Sequence, residues 1–147
     1  MPSALEWLAT LGAGLFAGAA LYVSLVEQPA RLECGPALAI AEFGPSYRRG
    51  AVMQASLAVG GCLAAVAAWT QGSTIPVLIA GLLLGSLIPF TLIVILPTNK
   101  RLLDPGLDPG SSETAALLAR WGRLHAVRSV VSGVAFLLLG LHRSGNL

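Results

Sequence analysis

An indole, an imidazole, a guanidinium and a hydroxyl stand at Trp121, His125, Arg128 and Ser132, at offsets of four, three and four residues in a largely apolar stretch. That spacing sets all four on one stripe of a helix. Two further polar groups close apolar stretches elsewhere in the chain: Glu27, and Asn99 within Pro97-Thr98-Asn99-Lys100. Tyr47, Arg48 and Gln54 open another. A histidine, a carboxylate, an amide and a guanidinium drawn from separate parts of the chain exceed what anchoring needs, and they suit a ligand-binding or catalytic site. The candidate catalytic set is His125, Glu27, Arg128 and Asn99, with Trp121, Tyr47, Gln54 and Ser132 as candidate substrate contacts.

The elements that must position these groups are four apolar runs, Leu5–Val26, Ala51–Thr70, Ile75–Leu96 and Leu124–Leu141. Each is long enough, at ~20 residues, for a helix to cross the ~30 Å hydrocarbon core of a bilayer. Of the 147 residues 55% are hydrophobic and 11% charged, whereas a soluble protein of this size would carry charge on every element. The expected fold is all-α, a single integral membrane domain built as an up-down-up-down four-helix bundle, with helices over about 5–26, 51–70, 75–96 and 115–141. A net charge of +2, spread over loops, argues against a nucleic-acid partner; membrane lipids and a lipophilic small molecule are the expected ones. Cys34 and Cys62 form neither a CxxC motif nor a paired framework. The first run lacks a basic leader and a small-x-small cleavage site, so it reads as a retained helix.

Eight of the nine basic residues (Arg31, Arg48, Arg49, Lys100, Arg101, Arg120, Arg123 and Arg128) fall on one side of this arrangement, and only Arg143 on the other. Positive charge in short loops marks the cytoplasmic face. Both termini and the uncharged turn 71–74 are then non-cytoplasmic, and the expected location is the bacterial inner (plasma) membrane. Glu27, Asn99, His125 and Arg128 all come to the cytoplasmic ends of their helices, in one layer.

Small residues support close helix packing, with Gly14-x-x-x-Gly18 and Gly81-x-x-x-Gly85 serving either contact inside the bundle or a homo-oligomer. Pro89 should kink the third run and open space toward the cytoplasmic half. Ser111 or Ser112 should cap the fourth helix, with Glu113 favourable in its first turn. Residues 36–45, bounded by Pro36 and Pro45, read as a short interfacial helix.

Each polar residue also has a plainer reading. Arg128 can snorkel to headgroups, Trp121 can belong to an interfacial aromatic belt, and Glu27 can form a structural salt bridge with Arg128 or Arg31. His125 and Glu27 are two candidate metal ligands, but His142 lies about 25 Å further along the same helix. Two ligands do not make a closed site, so neither a metal nor another cofactor is expected.

Three segments together, Glu27-x-Pro29-Ala30-Arg31, Leu96-Pro97-Thr98-Asn99-Lys100-Arg101-Leu102 and Trp121-x-x-Leu124-His125-x-x-Arg128, resemble the anthrone oxygenase-like family of small four-helix membrane proteins, over essentially the whole chain. The resemblance implies that fold more firmly than it implies a reaction. Fungal members oxidise an anthrone to an anthraquinone with molecular oxygen and no known prosthetic group. An anthrone is a vinylogous carbon acid, and loss of a benzylic proton gives an electron-rich phenolate that can reduce oxygen. By resemblance, His125 is the base, and Arg128 and Asn99 stabilise the phenolate and peroxy oxygens. Glu27 orients His125 or pairs with Arg128, and Trp121 stacks on the flat substrate. Two functional classes stay open on the residues: a membrane oxidoreductase acting on an anthrone- or quinol-like aromatic, and a non-enzymatic structural, accessory or ligand-binding module.

Overall fold

The computed structural model describes residues 3–145, which form helices with no strand among them. Four helices are long and apolar enough to cross a membrane: α1 (Ala4–Glu33), α2 (Pro36–Thr70), α3 (Ile75–Leu102) and α4 (Ser112–Arg143). The all-α expectation holds, and four such helices fit an integral membrane protein. α1 packs on α2 and α4, α3 packs on the same two, and the diagonal pair α1 and α3 scarcely meet. The chain ends to which the expected non-cytoplasmic placement refers, residues 1–2 and 146–147, lie outside the described residues.

Helix starts follow local chemistry. Ser3 and Glu6 form a reciprocal capping box on α1. Of the two candidate caps on α4 it is Ser111 whose hydroxyl accepts the Thr114 N–H, at 3.2 Å. Gly35, at φ +88°, turns the chain between α1 and α2 in a conformation that favours glycine.

All four helices outrun their apolar stretches, chiefly at the end that carries the arginines. The separate interfacial helix expected at 36–45 is instead the opening of α2, which passes through Pro45 without a break. Proline there forfeits one backbone bond, but Ala39 and Phe43 on the same turns are buried against Ile95, Leu102 and Trp121. Tertiary burial carries the helix through a residue that local propensity would make a boundary.

Pro89 lies inside α3, and the departure from α geometry comes just after it, in a π turn at Thr91–Ile95. α1 has a matching π turn at Val23–Glu27. Each is followed at once by a proline pair, Gln28-Pro29 and Leu96-Pro97. The wider turn relieves the clash between a proline ring and the carbonyl one turn back. Both π turns border the same cavity, so the two diagonal helices widen together at one end of the bundle.

The opposite half is packed by small residues. Ala9, Ala13, Ala17 and Ala20 of α1 are buried, with Ala58, Ala65 and Ala68 of α2 and Ala80 of α3. A Cβ on Gly61 would come within 2.5 Å of Leu84, and one on Gly81 within 2.5 Å of Ala65. Gly85 abuts Cys62 and Gly14 abuts Phe136, so these glycines make contact inside one bundle, whereas Gly18 faces open space. At the far end of this half, the Ser73 hydroxyl donates to Glu6 and the Thr74 hydroxyl lies 3.1 Å from His142 Nδ1.

Candidate active site

A cavity of about 190 Å³ lies between the two π turns and the facing parts of α2 and α4. One water requires only roughly 10–15 Å³ on the same measure, so the space is sized for a ligand. Glu27, Tyr47, Gln54, Asn99, Trp121, His125 and Arg128 all line it, along with Arg31, Phe16 and Phe43. Of the eight candidate residues only Ser132 stays outside the lining. Its hydroxyl is fully buried and donates to the Arg128 and Ser129 carbonyls, at 2.7 and 3.2 Å, satisfying itself on its own helix.

Glu27, the carboxylate that lines the cavity, belongs to Arg31. The Arg31 side chain is 3% exposed and forms ion pairs with Glu27 and Glu42. It also donates to the Gln28 amide oxygen at 2.7 Å, and its guanidinium lies 5.4 Å from the Trp121 ring and 5.8 Å from the Phe43 ring. Glu27 accepts a second hydrogen bond from Ser46, at 2.6 Å. Gln28 reaches across to the Leu118 carbonyl of α4 at 3.1 Å. A buried guanidinium with five donors needs this many acceptors, and the network ties α1 to α2 and α4. Glu27 is hydrogen-bonded to neither His125 nor Arg128; of the pairings weighed for it, the structural salt bridge with Arg31 is the one formed. The i,i+4 arginine on its own helix captures it instead.

Among the described residues Arg128 has no carboxylate partner. One nitrogen donates to Gln54 Oε1 at 2.6 Å, the guanidinium sits 5.2 Å from the Phe16 ring, and its buried Nε has no hydrogen-bond partner. The cavity therefore contains a cation balanced only by an amide and a ring face. Beside it, His125 is 3% exposed and stacks on Trp121 at 4.8 Å between centroids. The Trp121 N–H donates to Asn99 Oδ1 at 2.9 Å, which fixes the indole between α3 and α4. With His125 stacked on it, Arg31 near its face and Phe43 against its edge, at 5.4 Å, Trp121 is a wall that holds its neighbours.

Two groups at the site escaped the sequence reading, and a third was read only in part. Ser24 and Ser129 contact His125 or its partner, and Arg31, weighed only as a salt-bridge partner for Glu27, also binds Glu42 and Gln28 and lies against Trp121. Ser129 lies four residues after His125, on the stripe that already held Trp121 and Ser132, so helical spacing alone would have reached it. Ser24 sits in the π turn, and no sequence rule announces that register. Among the described residues no group of three or more His, Cys, Asp or Glu side chains converges.

The family model for anthrone oxygenase matches residues 43–138, a stretch that includes Gln54, Asn99, Trp121, His125 and Arg128. The chain is 33% identical over 132 residues to anthrone oxygenase tpcL of Aspergillus fumigatus, covering 83% of this chain and 82% of the fungal one. No solved structure matches. An aromatic cavity with an unbalanced arginine beside a histidine thus sits in a chain that belongs to the anthrone oxygenase family.

Proposed function

We propose that this protein oxidises a lipophilic aromatic substrate, an anthrone-like carbon acid or a quinol, with molecular oxygen in the cavity between the π turns. The observation that carries the reading is Arg128: a buried guanidinium with no carboxylate, beside a histidine, in an aromatic pocket. Such a charge is stabilised by a ligand that becomes an oxyanion there. For an anthrone, His125 takes a benzylic proton and the negative charge moves to the phenolate oxygen, facing Arg128. The carbanionic carbon adds oxygen and the imidazolium returns its proton to the peroxy anion. Loss of the second benzylic proton with cleavage of the O–O bond gives the quinone carbonyl and water. One anthrone and one dioxygen thus yield one anthraquinone and one water, with the substrate as reductant.

His125 and Arg128 keep the roles the family resemblance implied, and the other three residues do not. Glu27 holds Arg31, and Trp121 with Asn99 frames the pocket wall. The protein is placed in the bacterial inner membrane with the cavity end cytoplasmic, supported by the eight basic residues on that side. A groove lined by Tyr22, Glu27, Ser46, Gly50, Met53 and Gln54, between α1 and α2, adjoins the cavity and supports entry of the substrate from the bilayer.

The test is oxygen uptake and quinone absorbance with the simple anthrone dithranol, using the full chain in lipid nanodiscs and subtracting spontaneous oxidation. Turnover that disappears in His125→Gln and Arg128→Leu supports the reading. Absence of turnover above background for dithranol and for a lipophilic quinol would replace it with a non-enzymatic membrane module.

A further inference from the structure

The hydrogen bonds behind His125 form a directed chain. The Ser129 hydroxyl lies 2.9 Å from the Ala20 carbonyl oxygen and 2.8 Å from Ser24 Oγ, and Ser24 Oγ lies 3.1 Å from His125 Nδ1. A carbonyl has no proton to give, so the contact with Ala20, like the longer one of 3.4 Å to the His125 carbonyl, is a hydrogen bond only when Ser129 donates its single proton there. Ser129 then accepts from Ser24, whose own proton is thereby spent. In this direction of the chain Ser24 has only lone pairs left for the imidazole, and Nδ1 is the nitrogen that carries hydrogen. Nε2, which has no hydrogen-bond partner among the described residues, is left with its lone pair on a ring that lines the cavity.

We propose that Ser24 and Ser129 are positioning residues that hold His125 as the Nδ1–H tautomer and so make Nε2 the basic nitrogen of the site. In hydrolase triads a carboxylate orients the histidine; here two hydroxyls and a backbone carbonyl perform that task without adding a charge. The arrangement suits a pocket whose lining carboxylate, Glu27, is taken by Arg31. The inference rests on the reading of His125 as the base, but its evidence is the resting hydrogen-bond geometry and not the reaction.

The experiment is long-range proton–nitrogen correlation on the full chain labelled with nitrogen-15 histidine in nanodiscs without substrate, with His142→Gln assigning the two rings. The expected wild-type signature is a neutral imidazole protonated at Nδ1. Ser24→Ala and Ser129→Ala should each shift it toward the Nε2–H form, and Ser24→Thr should restore it. In parallel, kcat on dithranol should fall about tenfold or more in Ser24→Ala, as for other groups that orient a functional histidine. KM should stay within about twofold, and Ser24→Thr should recover the loss. A wild-type ring protonated at Nε2, or a tautomer that neither alanine variant moves, overturns the inference even if dithranol is consumed. If the tautomer behaves as expected but no protein consumes dithranol, the positioning role stands and the proposed reaction falls.

Discussion

The two halves of this bundle are built by opposite rules. One is closed by alanine and glycine so tightly that a single added Cβ would collide at Gly61 or Gly81. The other is opened by two π turns and filled with aromatic rings, a histidine and two arginines. Within that open half the arginines differ again: Arg31 is surrounded by acceptors and Arg128 is left short of them. The closed half and, at the open end, Arg31 hold the helices together, whereas Arg128 faces a cavity, which the proposed function assigns to a ligand. Stability and chemistry thus occupy different residues of the same two helix types.

Removing the chemistry should give the largest effects and test this division most severely. His125→Gln should lower dithranol turnover by roughly a hundred- to ten-thousand-fold, the usual contribution of a general base. Thermal unfolding in detergent should be little changed, because glutamine keeps volume and one polar end. Arg128→Leu should cost about a hundredfold or more in kcat while moving stability by less than about 1 kcal/mol, since no ion pair is broken. A large loss of stability in Arg128→Leu would erase the contrast between the arginines.

Arg31→Leu should do the reverse. It strands Glu27 and Glu42, and loss of one partner from a buried pair costs about 3–5 kcal/mol. Glu42 is 42% exposed, so the lower end is expected. Differential scanning fluorimetry should show the loss, and adding Glu27→Gln should recover part of it. Failure of that rescue would mean Glu27 is not held by Arg31.

In the closed half, Gly81→Leu should destabilise by about 1–3 kcal/mol through overpacking against Ala65. The same substitution at Gly18, where a Cβ meets nothing, should be nearly silent. Equal effects at the two positions would show that the glycine contacts are not what closes this half. Smallest of all, Trp121→Phe keeps a ring against His125 but removes the donor to Asn99. A loss of about 1 kcal/mol is expected for one neutral hydrogen bond, readable in the same melting assay.

The four spans, and the meeting of Glu27, Asn99, Trp121, His125 and Arg128 at one end, were legible in the sequence for a simple reason. Hydrocarbon thickness sets helix length, and ionisable groups in lipid are too costly to leave scattered, so run length and charge position carry the information. Helical spacing likewise placed the α4 stripe, because periodicity within one helix is a local property. What the tertiary structure decided was partnership. Glu27 had three partners within reach in principle, Arg31, Arg128 and His125, and the choice of Arg31 depended on Ser46 and Glu42 arriving from α2. The continuation of α2 through Pro45 depended on Phe43 finding Trp121. Ser24 reached His125 through a π turn whose register follows from packing two proline-bearing helices around a cavity. Length and depth are one-dimensional quantities that a chain records residue by residue; which donor meets which acceptor is settled only when four helices compete for the same space.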